Sequence, residues 1–439
     1  MQGGAIFIDK NVNATIINSS FTNNNNDAKL SKNVLGGAIF LNTSNINIDS
    51  CDFDNNQAYY GGGIFFEDSG TVINSKFINN KRAFGGSGIY FKNDGIVINC
   101  NFTNHTSEFD GAAIYFQSNA TIISSIFTEN CVSSYGGAVY VKGLANITNS
   151  QFILNNATCG GAIYLENLGY IVSCIFNSNS AKNNAGGAIL SNNIITINNS
   201  TFTNNTAIKK GGAIITYGGG IIRNSNFIDN SAHSGGAIST TNMLNISQNI
   251  FQGNIAIDGT NDFNLENNSI LKYIVDLNLI EIKDIKYGDN VKINISVFCE
   301  GKPLNEGKVT VNIKGLEYSA KVYNGKAVIL IPKLNVGNYT VNVNFNGGIN
   351  YTQAFLPVTF SVLKQNAKIL ATSKTFVINY GGKYSITLKD VNNKQISGLK
   401  ISFKFNGKNL YATTNSKGIA TIKFSSDILK KAKAGKHNQ

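Results

Sequence analysis

The chain has 439 residues, with 44 Gly, only three Pro, no Trp and an ordinary 42% hydrophobic content, a composition that favours β-structure and turns over long helices. Its net charge of +12 is unevenly spread: residues 1–265 hold 12 basic and 15 acidic side chains (−3), and residues 266–439 hold 25 basic and 10 acidic (+15). The basic residues are spaced along strand-like stretches (Lys314, Lys321, Lys326), which argues against a nucleic-acid-binding stripe, and no apolar run approaches the roughly 20 residues a membrane-spanning helix requires.

From the first residues onward the chain repeats itself. An Ile or Val following a Gly-rich triplet recurs at Ile6, Ile39, Ile64, Ile89, Ile114, Val139, Ile163, Ile189, Ile214 and Ile238. After one insertion around Asn23 to Asn33, every interval is 24 to 26 residues. A Phe keeps the same beat at Phe21, Phe53, Phe77, Phe102, Phe127, Phe152, Phe176, Phe202, Phe227 and Phe251. Two anchors in phase over ten copies identify a structural repeat.

Within each copy the apolar residues alternate, which is the period of a strand. The small residue two before each Phe (Cys51, Ser75, Cys100, Ser125, Ser150, Cys174, Asn249) shares its inward face. Three residues after the Phe stands Asn in nine copies and His105 in the tenth; these Asn are expected to accommodate a left-handed turn and to hydrogen-bond between successive copies. Strands this short cannot bury their own apolar sides, so each copy must be covered by the next. The expected product is a parallel β-helix of about ten rungs, roughly 48 Å long at strand spacing, over residues 1–268. Cys51, Cys100 and Cys174 then occupy non-adjacent rungs, too far apart for disulfides.

The GGA-Ile/Leu/Val motif with its downstream Phe-x-x-Asn resembles the repeat of chlamydial polymorphic outer-membrane proteins. It is also similar to the repeats of adhesin-like surface proteins of methanogenic archaea, where Asn-rich β-helices precede immunoglobulin-like domains. The resemblance covers residues 1 to about 265. It implies a right-handed β-helix exposed outside the cell, with adhesion as its role, and it transfers no catalytic residue.

Beyond residue 268 the beat stops and Lys, Val and Tyr become frequent. YGDNVKINISVF, VYNGKAVILI, GNYTVNVNF and PVTFSVLK alternate apolar and polar residues between turns, as in an antiparallel sandwich. Residues 269–364 are expected to form one immunoglobulin-like β-sandwich and residues 365–439 a second. The second stops at AGKHNQ and is expected to lack a strand; together with the start inside a repeat, this suggests a piece of a longer exported protein, so an invisible signal peptide and anchor do not place it in the cytosol.

Chemistry is sparse. Polysaccharide-cleaving β-helices need clustered carboxylates, and the local acid group here is Asp49, Asp52 and Asp54, which reads as a solvated strand beside Lys76. Glu67 with Lys92, and Lys142 with Glu166, read as charge pairs between copies. His105, His233 and His437 are scattered, so neither a metal site nor a catalytic triad is expected, nor any cofactor. GGGII at Gly218 opens no helix and is no phosphate loop. Sequons such as Asn101, Asn119 and Asn146 permit glycosylation.

One outward position is distinctive. The residue after each Ile or Val anchor is Phe7, Phe40, Phe65, Tyr90, Tyr115, Tyr140 and Tyr164 in turn, and alternation assigns these rings to the solvent side. Tyr90, Tyr115, Tyr140 and Tyr164 are the candidate binding stripe, against which sugar rings or a partner protein could lie. The sequence is thus expected to encode a non-enzymatic, extracellular adhesin-like protein. Its expected partners are glycans or surface proteins of other cells, with an anionic wall polymer engaged by the basic C-terminal domains; a polysaccharide-acting enzyme or a purely structural envelope component is the alternative.

Overall fold

The computed structural model describes residues 2–25, 34–44, 46–81, 84–267, 270–283, 285–432 and 435. The insertion expected at Asn23 to Asn33 falls largely outside them, as do His437 and the last four residues. The chain divides into two compact units: Met1–Val275 with Phe298–Lys302 and Gly347–Gln353, and Asp276–Val297 with Pro303–Asn346 and Ala354–Gln439.

The first unit is a parallel β-helix. Each turn contributes a three-residue strand at the Gly-rich anchor, a four-residue strand, and a three-residue strand around the Phe, as in Ile114–Phe116, Ala120–Ile123 and Ile126–Thr128. Among the described residues these stack into sheets of eleven, eleven and ten strands, and a fourth sheet of seven two-residue strands closes the section. Pairing is in register and parallel: Ile114 lies between Ile89 and Val139, and Phe127 between Phe102 and Phe152. The stack passes residue 268. Phe263–Leu265 and Leu271–Tyr273 pair with the turn before them, although Phe263 replaces the Ile anchor and no Gly pair precedes it, which hid this turn from the repeat.

The interior is a set of columns. Nine consecutive Phe–Phe contacts, from Phe21 to Phe251, have ring centroids 4.6 to 5.0 Å apart and nearly parallel planes. That distance is the spacing of hydrogen-bonded strands, so the backbone register sets the ring stacking. Beside the Phe column runs a hydroxyl–thiol column. The backbone N–H of Cys51 donates to Ser75 Oγ (3.0 Å), that of Cys100 to Ser125 Oγ (3.1 Å) and that of Cys174 to Ser200 Oγ (3.1 Å). All six cysteines are free thiols; burial pushes the Cys100 thiol up to about 12.

The Asn column closes one corner. Asn155 Oδ1 accepts from the backbone N–H of Asn130 (3.1 Å) and from its Nδ2 (2.9 Å), while Asn155 Nδ2 donates to Phe127 O (3.0 Å) and to Asn179 Oδ1 (3.0 Å). The left-handed backbone expected at these Asn belongs instead to the residue before each one, for example Asn79, Glu129 and Leu154. The bend thus frees the Asn side chain to point inward. At the opposite corner a Gly with positive φ stands three residues before every anchor, as at Gly86 (φ 60°) and Gly136 (φ 67°). The next Gly answers a close approach: a Cβ on Gly161 would stand 2.1 Å from Gly187 O in the following turn.

The second unit consists of β-sheet domains. Val291–Cys299 pairs antiparallel with Lys326–Ile331, and Gly337–Phe345 with Ala354–Leu363 and Lys308–Ile313. Alternate residues of these strands (Val291, Ile293, Ile295; Ile329, Ile331; Val343, Phe345) are buried. Further on, Gly382–Asp390 pairs with Ile419–Phe424, and a separate core gathers Tyr384, Ile386, Phe403, Phe405, Ile422 and Phe424. A short helix, Ser426–Lys430, follows the last strand, its N-terminus capped by Ser425 Oγ, which accepts from Ile428 N at 3.3 Å. The sequence reading contained no helix there.

Candidate functional site

The outward residue of each anchor strand repeats at strand spacing, so the side chains after the Ile anchors pile into a ladder. Phe7, Phe40, Phe65, Tyr90, Tyr115, Tyr140 and Tyr164 stack with centroids 4.9 to 5.5 Å apart and planes within 9° of parallel. The structure therefore brings all four candidate tyrosines into one column.

It buries three of them and leaves Tyr164 half-buried. Phe7 is 47% exposed, but Tyr90 is 8%, Tyr115 9% and Tyr140 5% exposed. The correction has a local cause. The positive-φ Gly three before each anchor turns the chain back so that the preceding residue crosses over the ladder. Leu35, Tyr60, Gly85 and Asp110 form a run of parallel bridges there, and Tyr135 bridges Cys159. Leu35 and Tyr60 pack on the rings beneath, Tyr60 edge-on to Tyr90 at 5.0 Å, and Tyr135 lies 4.8 Å from Tyr164. Alternation states which side of a strand a ring leaves from; it is silent on a strip of chain laid over that side.

The buried hydroxyls are anchored by the next turn. Tyr90 OH donates to Gln117 Oε1 (2.9 Å), Tyr140 OH to Glu166 Oε1, and Asn192 Nδ2 donates to Tyr164 OH (2.8 Å). Burial raises the hydroxyl pKa of Tyr90, Tyr115 and Tyr140, and at Tyr140 the Glu166 carboxylate adds to it. Glu166 is therefore engaged with Tyr140, and the expected pair with Lys142 is absent among the described residues. Lys142 instead extends over the Tyr115 ring, its Nζ 5.9 Å from the centroid, within cation–π range. Glu67 and Lys92 do form the expected ion pair.

The covering strip is thinnest at Gly85, which has no side chain. A groove of about 290 Å³ opens there, lined by Tyr60, Phe84, Tyr90, Asp110, Tyr115, Gln117 and Lys142. Phe84 is 38% exposed at its rim and stacks at 4.1 Å on Phe109. Asp110 accepts from Tyr135 N (3.2 Å), and burial raises its carboxyl pKa, opposed by a hydrogen bond from Ser134. Sequence reasoning found Tyr90 and Tyr115 but missed Tyr60, Phe84 and Asp110. The signal was the invariant Gly three before each anchor, which marks the reversal that carries them over the ladder.

The other candidate chemistry stays apart. Asp52 is in register with Lys76, and Asp49 accepts from Asn74 Nδ2 (2.9 Å) and Ser50 Oγ (2.9 Å). His105 is buried in the Asn column and His233 is exposed. Among the described residues no group of three His, Cys, Asp or Glu side chains is placed to hold a metal ion, and no helix is long and apolar enough to cross a membrane.

Comparison with known proteins bears on the same turns. Residues 62–227 match the family model described as a right handed beta helix region. These turns are a right-handed β-helix, and they hold the groove residues from Phe84 to Lys142, with Tyr60 two residues before the match. A comparison with curated proteins gives no match. Among solved structures, the chain is similar to a Ca2+-stabilised adhesin that helps an Antarctic bacterium reach out and bind ice. Identity is 14% over 39% of this chain and 44% of that one, at a TM-score of 0.16, so the chain spans less than half of that protein and the likeness decides nothing about its role.

Proposed function

We propose that this chain is a non-enzymatic, adhesin-like cell-surface protein whose right-handed β-helix presents a binding face for glycans or partner surfaces. The β-sheet domains that follow act as immunoglobulin-like spacers, and their surplus of 15 positive charges favours contact with an anionic wall polymer. The observation that carries this reading is the groove over Tyr90 and Tyr115: aromatic walls, a rim of Asp110, Gln117 and Lys142, and a position on a rigid stack. Aromatic side chains with a few convergent polar groups are the usual make-up of a small-ligand site. Its lining holds one carboxylate, whereas glycoside hydrolysis employs two facing each other across the bond, which supports binding over turnover.

A glycan array probed with the full chain and with a Phe84→Ser, Lys142→Ala double variant tests the proposal. Both side chains are surface-exposed, so the fold should persist. Retention of at least one glycan by the parent and its loss by the variant are expected; equal retention by both would refute the assignment of the binding face.

A further inference from the structure

The groove's own chemistry narrows the ligand, on the premise that the glycan-binding reading above is right. We infer that it receives a single neutral pyranose ring of a glycan, and that Gly85 is the residue that admits it.

Gly85 occupies the place taken by Tyr60 one turn earlier and Asp110 one turn later in the covering strip. A Cβ added there would lie 3.0 Å from Tyr115 Cδ2 and 3.2 Å from its Cγ. Any side chain at this position therefore competes for the space beside the edge of the Tyr115 ring, whose faces are stacked on Tyr90 and Tyr140. Tyr60 and Phe84 stand 5.6 Å apart at 69°, and Tyr60 meets Tyr90 at 63°. The faces of Phe84 are taken by Tyr59 and Phe109 and those of Tyr90 by Phe65 and Tyr115, so these rings offer the C–H groups of a sugar a corner of apolar ring edges, crossed by Tyr60.

The polar groups are unevenly satisfied. Tyr90 and Tyr140 donate to Gln117 and Glu166, the acceptors that the following turn provides. For Tyr115 the equivalent residue is Lys142, whose ammonium has three donors and no acceptor. The Tyr115 hydroxyl, the Gln117 amide nitrogen and the Lys142 ammonium are thus donors in the lining, and the Asp110 carboxylate retains lone pairs there. A ring bearing several hydroxyls answers both, since each hydroxyl donates and accepts.

Net charge and size complete the argument. The lining holds one carboxylate and one ammonium, so a neutral ligand leaves the groove without net charge, whereas a uronate gains from Lys142 what it loses to Asp110, an amino sugar the reverse, and either still gives up the solvation of its own charge. The groove's 290 Å³ or so sits at the foot of the range for small-molecule sites, roughly 300–1,000 Å³, room for one ring.

Saturation-transfer NMR and calorimetry of the full chain with methyl glucoside, methyl galactoside and methyl mannoside, against glucuronic acid and glucosamine, test this. At least one neutral pyranoside should bind, about tenfold more tightly than either charged sugar. Gly85→Val should abolish that binding with an unchanged circular dichroism spectrum; should Gly85→Val misfold, Lys142→Ala provides the second variant and should weaken it. Tighter binding of a charged sugar would overturn the neutral-ring inference and leave the glycan-binding reading standing. Absence of pyranoside binding, with surface attachment still dependent on Phe84 and Lys142, would overturn the inference and point to a protein partner. Attachment independent of those two residues would sink the proposed binding face itself.

Discussion

His105 Nδ1 lies 2.8 Å from Asn130 Oδ1, and its Nε2 lies 3.2 Å from Asn80 Nδ2. One imidazole thus takes the place that an amide occupies in the other turns of the column. Asn80 Nδ2 also donates to Phe53 O, so it faces His105 as a donor, and Nε2 must accept while Nδ1–H donates. Only the neutral ring satisfies both contacts; a proton on Nε2 would set two donors against each other.

A pH dependence follows. Burial lowers the His105 pKa from 6.5 to about 4. The unfolded chain then binds a proton near pH 6.5 that the folded chain refuses. Stability is full above that pH and declines as pH falls towards 4, by roughly 3 kcal/mol. His105→Asn, which restores the repeat, should flatten this decline. Urea denaturation of both proteins between neutral pH and about pH 4.5 measures the difference.

The Asn column should be costly to interrupt. Asn155→Ala removes the acceptor of a buried backbone N–H on Asn130 and the donor to Phe127 O. A loss of about 3 kcal/mol is expected, since buried groups left without partners forfeit their solvation. Denaturation midpoints of the variant check it, and a change under 1 kcal/mol would contradict the assignment.

Removing a ring from the inner column should cost about 3–5 kcal/mol. Phe127 is fully buried and stacks on both Phe102 and Phe152, so Phe127→Ala leaves a cavity that two in-register neighbours cannot collapse to fill. Tyr140→Phe should cost only about 1 kcal/mol, because it removes the hydroxyl bond to Glu166 and keeps the stack. Thermal or urea unfolding of the two variants should rank them in that order.

The position two before the anchor is Gly in most turns and packs against the backbone of the next turn, although Ser87 and Ala112 hold it in two turns. Gly161→Ala places a methyl 2.1 Å from Gly187 O and 2.6 Å from Ser180 N, both backbone atoms of the next turn, so the local backbone must shift. Gly161→Ala should therefore cost about 1–3 kcal/mol as a local overpacking without abolishing the fold, since Ala112 holds the same place two turns earlier; urea denaturation checks it, and an unchanged midpoint would show that the turns shift at no cost.

The inner columns were legible because inward side chains obey two constraints at once, the alternation of a strand and the fixed interval of a turn. Phe102, Ser125 and Asn130 each recur with both, and each stands where that pattern predicts. The outer face obeys only one. Tyr90, Tyr115 and Tyr140 leave the strand on the solvent side, as alternation requires, yet Tyr60 and Asp110 on the covering strip obey no apolar rhythm of their own, so neither they nor the burial they cause could be read from it. Lys142 shows the same gap: charge order paired it with Glu166, but the hydroxyl of Tyr140 is a competitor that pairing rules between like positions omit.

Hydroxyl-radical footprinting of the full chain with and without a bound glycan addresses the central claim most directly. Protection should concentrate on Phe84 and Tyr60, at the groove, and spare Tyr170 and Ile175, which are exposed on strands of two other sheets. Protection of Tyr170 or Ile175 with Phe84 unchanged would contradict the claim that the face over the tyrosine ladder is where this protein binds.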